Sequence, residues 1–572
     1  MKLFLALNLI ALTAFAADPQ YIDTTAGAGD SGRAGGVKIN NNLSNLVTGN
    51  LSLTNPPIVG GLSVDGTIIA SNATLTTVTG TTVHATTLVG NLAYWATNAS
   101  VIYVATNGND STAIRGRSDY PWKTPSIAVT NMVDGDKMIL LAGNHVIETK
   151  NATNTWADTE GTFILSNKSN CEIIGEGATL YTDDYGDMLT LHSCTNITIT
   201  GIRFQGTSPS MEASSPNTAA ILFRGTNYNI DVHHNSFYNV ANQGVSGYLN
   251  SHLNRQVKIR NNHFENIGTP NALTIKGWPD GAAISGIGHS FYITDNTMMR
   301  CYRGVELNSG PGSGANAFIT NVVVRGNIIE SNFAECIYAD SYYWDADIQN
   351  NHIYNCIATN GAYSMYGIAV IRGTRFNIAN NFIKGLKRSV GNAVCLGIFV
   401  SRGTNITING NDVSDLGTSV APGIGIHVEG TTTALPAVGV NIMNNVIHDC
   451  NEVYSTGIII GYGAGLYNYE VKVIGNSVYN TRSETFLFSG ISVRGGSNIL
   501  VTANSVYDTR WPVTEKLLLS GLYISPVVTN IVIGDNDFSG VKILGITNAC
   551  KTNNYKFISM QDDSYKTNQV YW

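Results

Sequence analysis

Phe376-Asn377-Ile378-Ala379-Asn380-Asn381-Phe382-Ile383 is followed thirty residues later by Ile406-Thr407-Ile408-Asn409-Gly410-Asn411-Asp412-Val413. Each octet alternates apolar and polar residues, passes through a small residue or Asn, reaches a second Asn, and hooks onto an apolar residue two places on. That second Asn recurs as Asn235, Asn262, Asn296, Asn327, Asn351, Asn381, Asn411, Asn445, Asn476, Asn504 and Asn536, at intervals of 24 to 34 residues. Other columns keep the same register. The positions five before, three before and two after the Asn are apolar in every copy, although only 43% of the chain is hydrophobic. The first two of these columns stand two residues apart, the period of a strand, so each copy turns two side chains to one face. A second strand follows in most copies, as Gly-Ile-x-Val at 367–370, 397–400 and 490–493 and as Gly-Leu-Tyr-Ile at 521–524. A unit of roughly 30 residues built from short strands cannot bury its own apolar face and must stack on its neighbours.

Over about residues 100 to 550 this pattern resembles the right-handed parallel β-helix of the pectate-lyase-like superfamily. The resemblance implies an all-β solenoid of about thirteen coils, each adding about 4.8 Å, hence a rod roughly 60 Å long. It also implies that the recurrent Asn stack as a ladder at a corner, where left-handed backbone and a bond to the neighbouring amide are wanted. The resemblance stops at the scaffold, because the polygalacturonase phrases Asn-Thr-Asp and Gly-His-Gly are absent.

Composition and the chain ends bound the rest. With 33 basic and 40 acidic residues, net charge −7, the chain lacks the basic stripe of a nucleic-acid binder. Residues 1–16 read as a secretory signal peptide: Met1-Lys2, an apolar run to Phe15, and Ala14-Phe15-Ala16 as cleavage site. The mature protein is therefore expected outside the cell. No later run is long and apolar enough to span a membrane. Residues 17–100, rich in Thr, Asn and Gly, are expected to form a β-rich stalk or a linker, compatible with a monomer or with a homotrimer joined through the stalk. Residues 101–550 are the β-helix and 551–572 a polar, Tyr-rich cap or tail. A short helix capped by Thr124, with Pro125 first, is expected to cover the open end of the coil with Ile127, Ala128 and Met132. Cys301, Cys356 and Cys450 share a column with Val240, Ile267, Leu386 and Leu416, and read as core thiols.

Function on such a scaffold comes from outward side chains and corner loops. Aligning the Gly-Ile-x-Val strands gives one outward row of Leu222, Ser285, Glu306, Tyr338, Ala369 and Phe399, and a second of Arg224, Ile287, Asn308, Asp340, Ile371 and Ser401. Glu306 beside Tyr338 and Asn308 beside Asp340 make a polar patch with two carboxylates. Around it lie Lys276, Trp278 and Asp280, then Tyr343 and Trp344, whose ring faces suit sugar C–H surfaces. Arg303, Arg372 and Arg402 are placed to hold acidic sugars. His427 and Glu429 lie further along the same face. The expected partner is a polysaccharide in a groove over residues 275–350. Glu306, Asp340, Lys276 and Asp280 are the candidate catalytic groups, and Trp278, Arg303, Asn308, Tyr338, Tyr343, Trp344, Arg372 and Arg402 the candidate binding groups. Two carboxyl groups serve a glycoside hydrolase without any cofactor. A polysaccharide lyase would add Ca²⁺ held by carboxylates, with Lys276 or an Arg as base. A non-enzymatic adhesin, fibre or phage-tailspike-like protein is the other class that fits.

Overall fold

The computed structural model describes residues 100–147, 163–182, 187–206, 219–247, 254–268, 281–286, 288–308, 319–340, 343–358, 364–389, 393–419, 421–432, 435–450, 455–461, 467–481, 489–509, 520–540, 544–548 and 555–558. The signal peptide and all but the last residue of the stalk fall outside them. The chain divides into two compact units. The first comprises residues up to Thr124 together with Asp136–Ile139. Its strand Val101–Val104 buries Ile102 and Val104 completely. Trp122 closes onto this strand through Trp122 N to Tyr103 O and Ala105 N to Trp122 O, both 2.8 Å. Asp110 accepts from Thr124 N at 3.0 Å and from Thr124 Oγ1 at 2.7 Å. The Thr124 hydroxyl, expected to cap a helix, thus donates to Asp110.

The second unit holds Pro125–Gly135 and everything from Leu140 onward. A short helix, Pro125–Thr130, buries Ala128 and Val129, and Met132 just beyond is also buried. Ile127 is 43% exposed. A helix of barely two turns has one buried stripe, and Val129 occupies it where Ile127 was expected. The described residues that follow form a parallel β-solenoid. Among the described residues one sheet has fourteen strands, running from Ile164–Ser166 to Leu544–Asn548 with one strand per turn; the all-β solenoid class is as expected, while the count of thirteen coils is slightly off. The strands before and after each repeat Asn pair in parallel with their counterparts in the next turn, as in Ile348 to Ile378 to Ile408 and Ile353 to Ile383 to Val413. The three apolar columns read from the sequence line the interior, none more than 8% exposed.

The repeat Asn form a continuous ladder. Asn351 N donates to Asn381 Oδ1 at 3.0 Å, and Asn381 N to Asn411 Oδ1 at 3.0 Å. Asn381 Nδ2 meanwhile donates to Ile348 O and to Asn411 Oδ1, both at 2.9 Å. The same pattern runs from Asn235 to Asn536. The left-handed backbone, however, belongs to the residue before each ladder Asn: Asn350, Asn380 and Asn444 have φ of 54°, 55° and 53°, and Gly326 and Gly410 fill the same place in other turns. The corner therefore divides two tasks between two residues, one supplying the turn and the next the buried amide. Asn381→Ala is expected to cost about 3 kcal/mol in urea unfolding, because it orphans the buried Asn351 N–H and Ile348 carbonyl. Asn380→Gly, at the left-handed position, is expected to change stability by less than about 1 kcal/mol.

All seven cysteines among the described residues are buried and unbridged. Burial pushes the Cys301 and Cys450 thiols up to about 12, as expected of core packing groups. No helix among the described residues is long and apolar enough to cross a membrane.

Candidate functional site

Backbone register places Glu306 opposite Tyr338 and Asn308 opposite Asp340. The outward row then runs Tyr338, Ala369, Phe399, His427. Before Glu306 it runs Leu222, Ser246, Ser285. Ser246 had no place in the sequence alignment, because its strand, Gln243–Ser246, lacks the Gly-Ile-x-Val ending. The row is not an open surface. Ser246 and Ser285 are each 1% exposed and Glu306 4%, so an alternating strand does not guarantee that its second face meets solvent.

Burial decides what Glu306 does. Its Oε1 accepts from Arg303 Nη1 at 2.9 Å, while Arg303 Nε donates to Glu335 Oε2 at 2.8 Å. Both carboxylates thus share one guanidinium, which also lies 5.5 Å from the Tyr338 ring centroid and 5.7 Å from that of Tyr302. Burial works against the charge on Arg303, but Glu306 and Glu335 outweigh it and hold the guanidinium protonated. Glu335 was missed from the sequence. It occupies the position in its turn that Arg303 occupies in the turn before, so opposite charges in one repeat column were the available signal.

Asp340 is the more open carboxylate, its side chain 24% exposed. Tyr338 donates its hydroxyl to Asp340 Oδ2 at 3.4 Å, and Arg372 Nη2 lies 3.5 Å from Oδ1. Burial first, and then the Asp340 charge, hold the Tyr338 hydroxyl protonated well above the usual phenol range. Arg372 and Arg402 follow equivalent positions in consecutive turns and both have left-handed backbone, φ 60° and 58°. Non-glycine residues seldom adopt that conformation.

The other candidates separate. Tyr343 and Trp344 belong to strand Tyr343–Gln349 of the other sheet. The Trp344 ring has the Arg375 guanidinium 5.2 Å from its centroid, with Arg375 also paired to Asp345. Lys276, Trp278 and Asp280 lie outside the described residues. Among the described residues no three His, Cys, Asp or Glu side chains converge as a metal ion would require. The Asp340 carboxylate faces Arg372, and Glu306 faces Arg303.

Further along the row His427 packs beside Phe399, ring centroids 5.3 Å apart, with Nε2 3.6 Å from Glu429 Oε2. Burial pushes the His427 imidazole down to about 3 and raises the Glu429 carboxyl. The sign follows directly. Below the ordinary 6.5 the unfolded chain takes up a proton that folded His427 refuses until about 3, so the stability from burying the neutral ring is lost as pH falls through that window. His427→Gln is expected to flatten the fall in melting temperature between about pH 6.5 and 3 relative to the parent protein.

The family described as "right handed beta helix region" matches residues 396–561. The chain folds as a right-handed β-helix. No curated protein matches the β-helix in sequence. Among solved structures it is similar to the lacto-N-biosidase of Eubacterium ramulus, at 13% identity, TM-score 0.42, covering 71% of this chain and 67% of that one. It is also similar to the Azotobacter vinelandii mannuronan C-5 epimerase A-module, at 12% identity, TM-score 0.36, over 74% and 91%. A third is tailspike protein 3 of bacteriophage CBA120, at 13% identity, TM-score 0.35, over 82% and 61%.

Proposed function

We propose that this β-helix is a secreted protein that binds a polysaccharide at the partly exposed strand end that carries Asp340 and Arg372, and cleaves it at Asp340. The observation that carries the reading is the arrangement at that strand end: a partly exposed carboxylate beside a phenol that keeps its proton, with Arg372 against it and Arg402 one turn on. Glu306 and Glu335 contribute by pinning Arg303, which supports the Tyr338 ring.

Two reactions use these groups alike. In hydrolysis Asp340 takes the proton of the attacking water or attacks the anomeric carbon itself. In elimination it takes the proton from the carbon beside a uronate carboxylate, and Arg372 and Arg402 hold that carboxylate. In both, the Tyr338 hydroxyl donates a hydrogen bond to the oxygen on which negative charge develops.

The test is a panel of neutral and acidic polysaccharides given to the full chain, with and without added Ca²⁺. Binding, new reducing ends and the ultraviolet absorbance of unsaturated uronate are read in parallel. Reducing ends alone mean hydrolysis, and reducing ends with absorbance mean elimination. Binding with neither signal removes the catalytic half of the proposal and leaves an adhesin, fibre or tailspike-like protein. No binding to any member removes the whole of it.

A further inference from the structure

The turn that carries Asp340 sets two cysteines face to face in the interior, one of them in a column that is otherwise small. The residue that opens each Gly-Ile-x-Val strand is small: register puts Ala283, Gly304, Gly367, Gly397 and Gly425 in one column. Their smallness has a steric cause. A Cβ added to Gly367 would stand 3.2 Å from Leu386 Cδ1, and one added to Gly397 would stand 3.4 Å from Leu416 Cδ1 and 2.4 Å from Val413 Cγ1. This column therefore faces the column five residues past the ladder Asn: Gly367 opposes Leu386, Gly397 opposes Leu416, and Gly304 lies against Asn332.

In the turn before Gly367 and Leu386 the same register puts Cys336 in the glycine place and Cys356 in the leucine place. A small residue opposed to a large one has become two of intermediate size, which conserves the volume the interior requires. Both side chains are completely buried, and their Sγ atoms are 3.3 Å apart.

We propose that Cys336 and Cys356 are partners in a disulfide that crosses the interior of this turn when the chain folds in the presence of an oxidant of the disulfide class. One cysteine thiolate attacks a sulfur of the oxidant, forming a mixed disulfide and expelling a thiolate. The second cysteine thiolate then displaces the other half. Two protein thiols are oxidised, and their two protons pass to the two thiolates expelled from the oxidant, whose disulfide is thereby reduced to two thiols. The sulfurs must close by a little over 1 Å to reach the bond length of about 2.05 Å, which side-chain rotation can supply. Burial pushes the Cys336 thiol up, so its thiolate is scarce once the turn has packed. The bond therefore forms during folding, and once formed it is shielded from reductants. Strand Ile337–Asp340 and strand Tyr343–Gln349 lie between the two cysteines, so the bond fastens the stretch of chain that presents Tyr338 and Asp340.

The experiment refolds the full chain with a mixture of reduced and oxidised glutathione, then alkylates it in denaturant without reductant. The chain has eight cysteines. Six are expected to be alkylated, the protein to be lighter by two hydrogens before alkylation, and peptide mapping to join Cys336 to Cys356. Cys336→Ala and Cys356→Ala are each expected to leave seven alkylated thiols. Native oxidised protein held in dithiothreitol is expected to keep the bond at least tenfold longer than the same protein in urea. Eight alkylated thiols in the refolded parent overturn the proposal, and so does a bond between any other two cysteines. Because the decisive readings are made on the parent chain, a variant that fails to fold leaves the outcome intact.

Discussion

Arg303→Met is expected to remove about 3–5 kcal/mol of folding stability near neutral pH, the usual cost of stripping the partner from a buried ion pair. Arg303 is only 14% exposed along its side chain, and Glu306 and Glu335 only 6% each. Methionine matches the stem in size but leaves two carboxylates buried without their cation. The pH dependence separates this cause from lost packing. A buried carboxylate without a partner favours its protonated form, so the folded variant binds more protons than its unfolded chain, and its deficit is expected to shrink as pH is lowered. Replacing both carboxylates as well, in Arg303→Met with Glu306→Gln and Glu335→Gln, is expected to recover more than half the loss. Urea unfolding at several pH values measures each step. A cost below about 1 kcal/mol, or one independent of pH, would show that water reaches the cluster and that the pair acts as a surface salt bridge.

The scaffold was legible because it repeats. Three apolar columns recurring with one Asn have a single physical solution, and the interior follows that register turn by turn. What did not repeat was harder to read. Ser246 was skipped because its strand lacks the second branched residue. Glu335 stands two residues before strand Ile337–Asp340, outside the positions that alternation along the strand marks as outward. Glu306 was placed correctly in register and wrongly in environment, since alternation gives the direction of a side chain and says nothing about whether solvent waits there. The left-handed corner was assigned to the ladder Asn when its neighbour carries it, because both places favour Asn and the sequence alone does not distinguish a turn-former from a buried amide. Tyr343 and Trp344 follow Asp340 closely in sequence, yet their strand belongs to a different sheet, which nearness in sequence does not reveal.

The difference between Glu306 and Asp340 makes Asp340→Asn the sharper test of catalysis. The substitution keeps the shape of the side chain and its bond to Tyr338 while removing the charge that takes a proton. Turnover on a cleaved polysaccharide is expected to fall by roughly 10²- to 10⁴-fold, the range for loss of a general base. Substrate binding and stability should change little. Arg372 loses only a contact of 3.5 Å at a side chain 35% exposed, which is worth less than about 1 kcal/mol. Tyr338→Phe is expected to slow the reaction less, since it removes one hydrogen bond to developing charge and leaves the base in place. Glu306→Gln answers a different question, because it frees one side of Arg303 and lowers stability along with any effect on rate. The ordering is what matters: Asp340→Asn losing rate at constant melting temperature, and Glu306→Gln losing melting temperature first. If Asp340→Asn keeps full turnover, the cleaving group lies elsewhere on the chain, and the next carboxyl to replace is Glu429, whose hold on a proton burial strengthens.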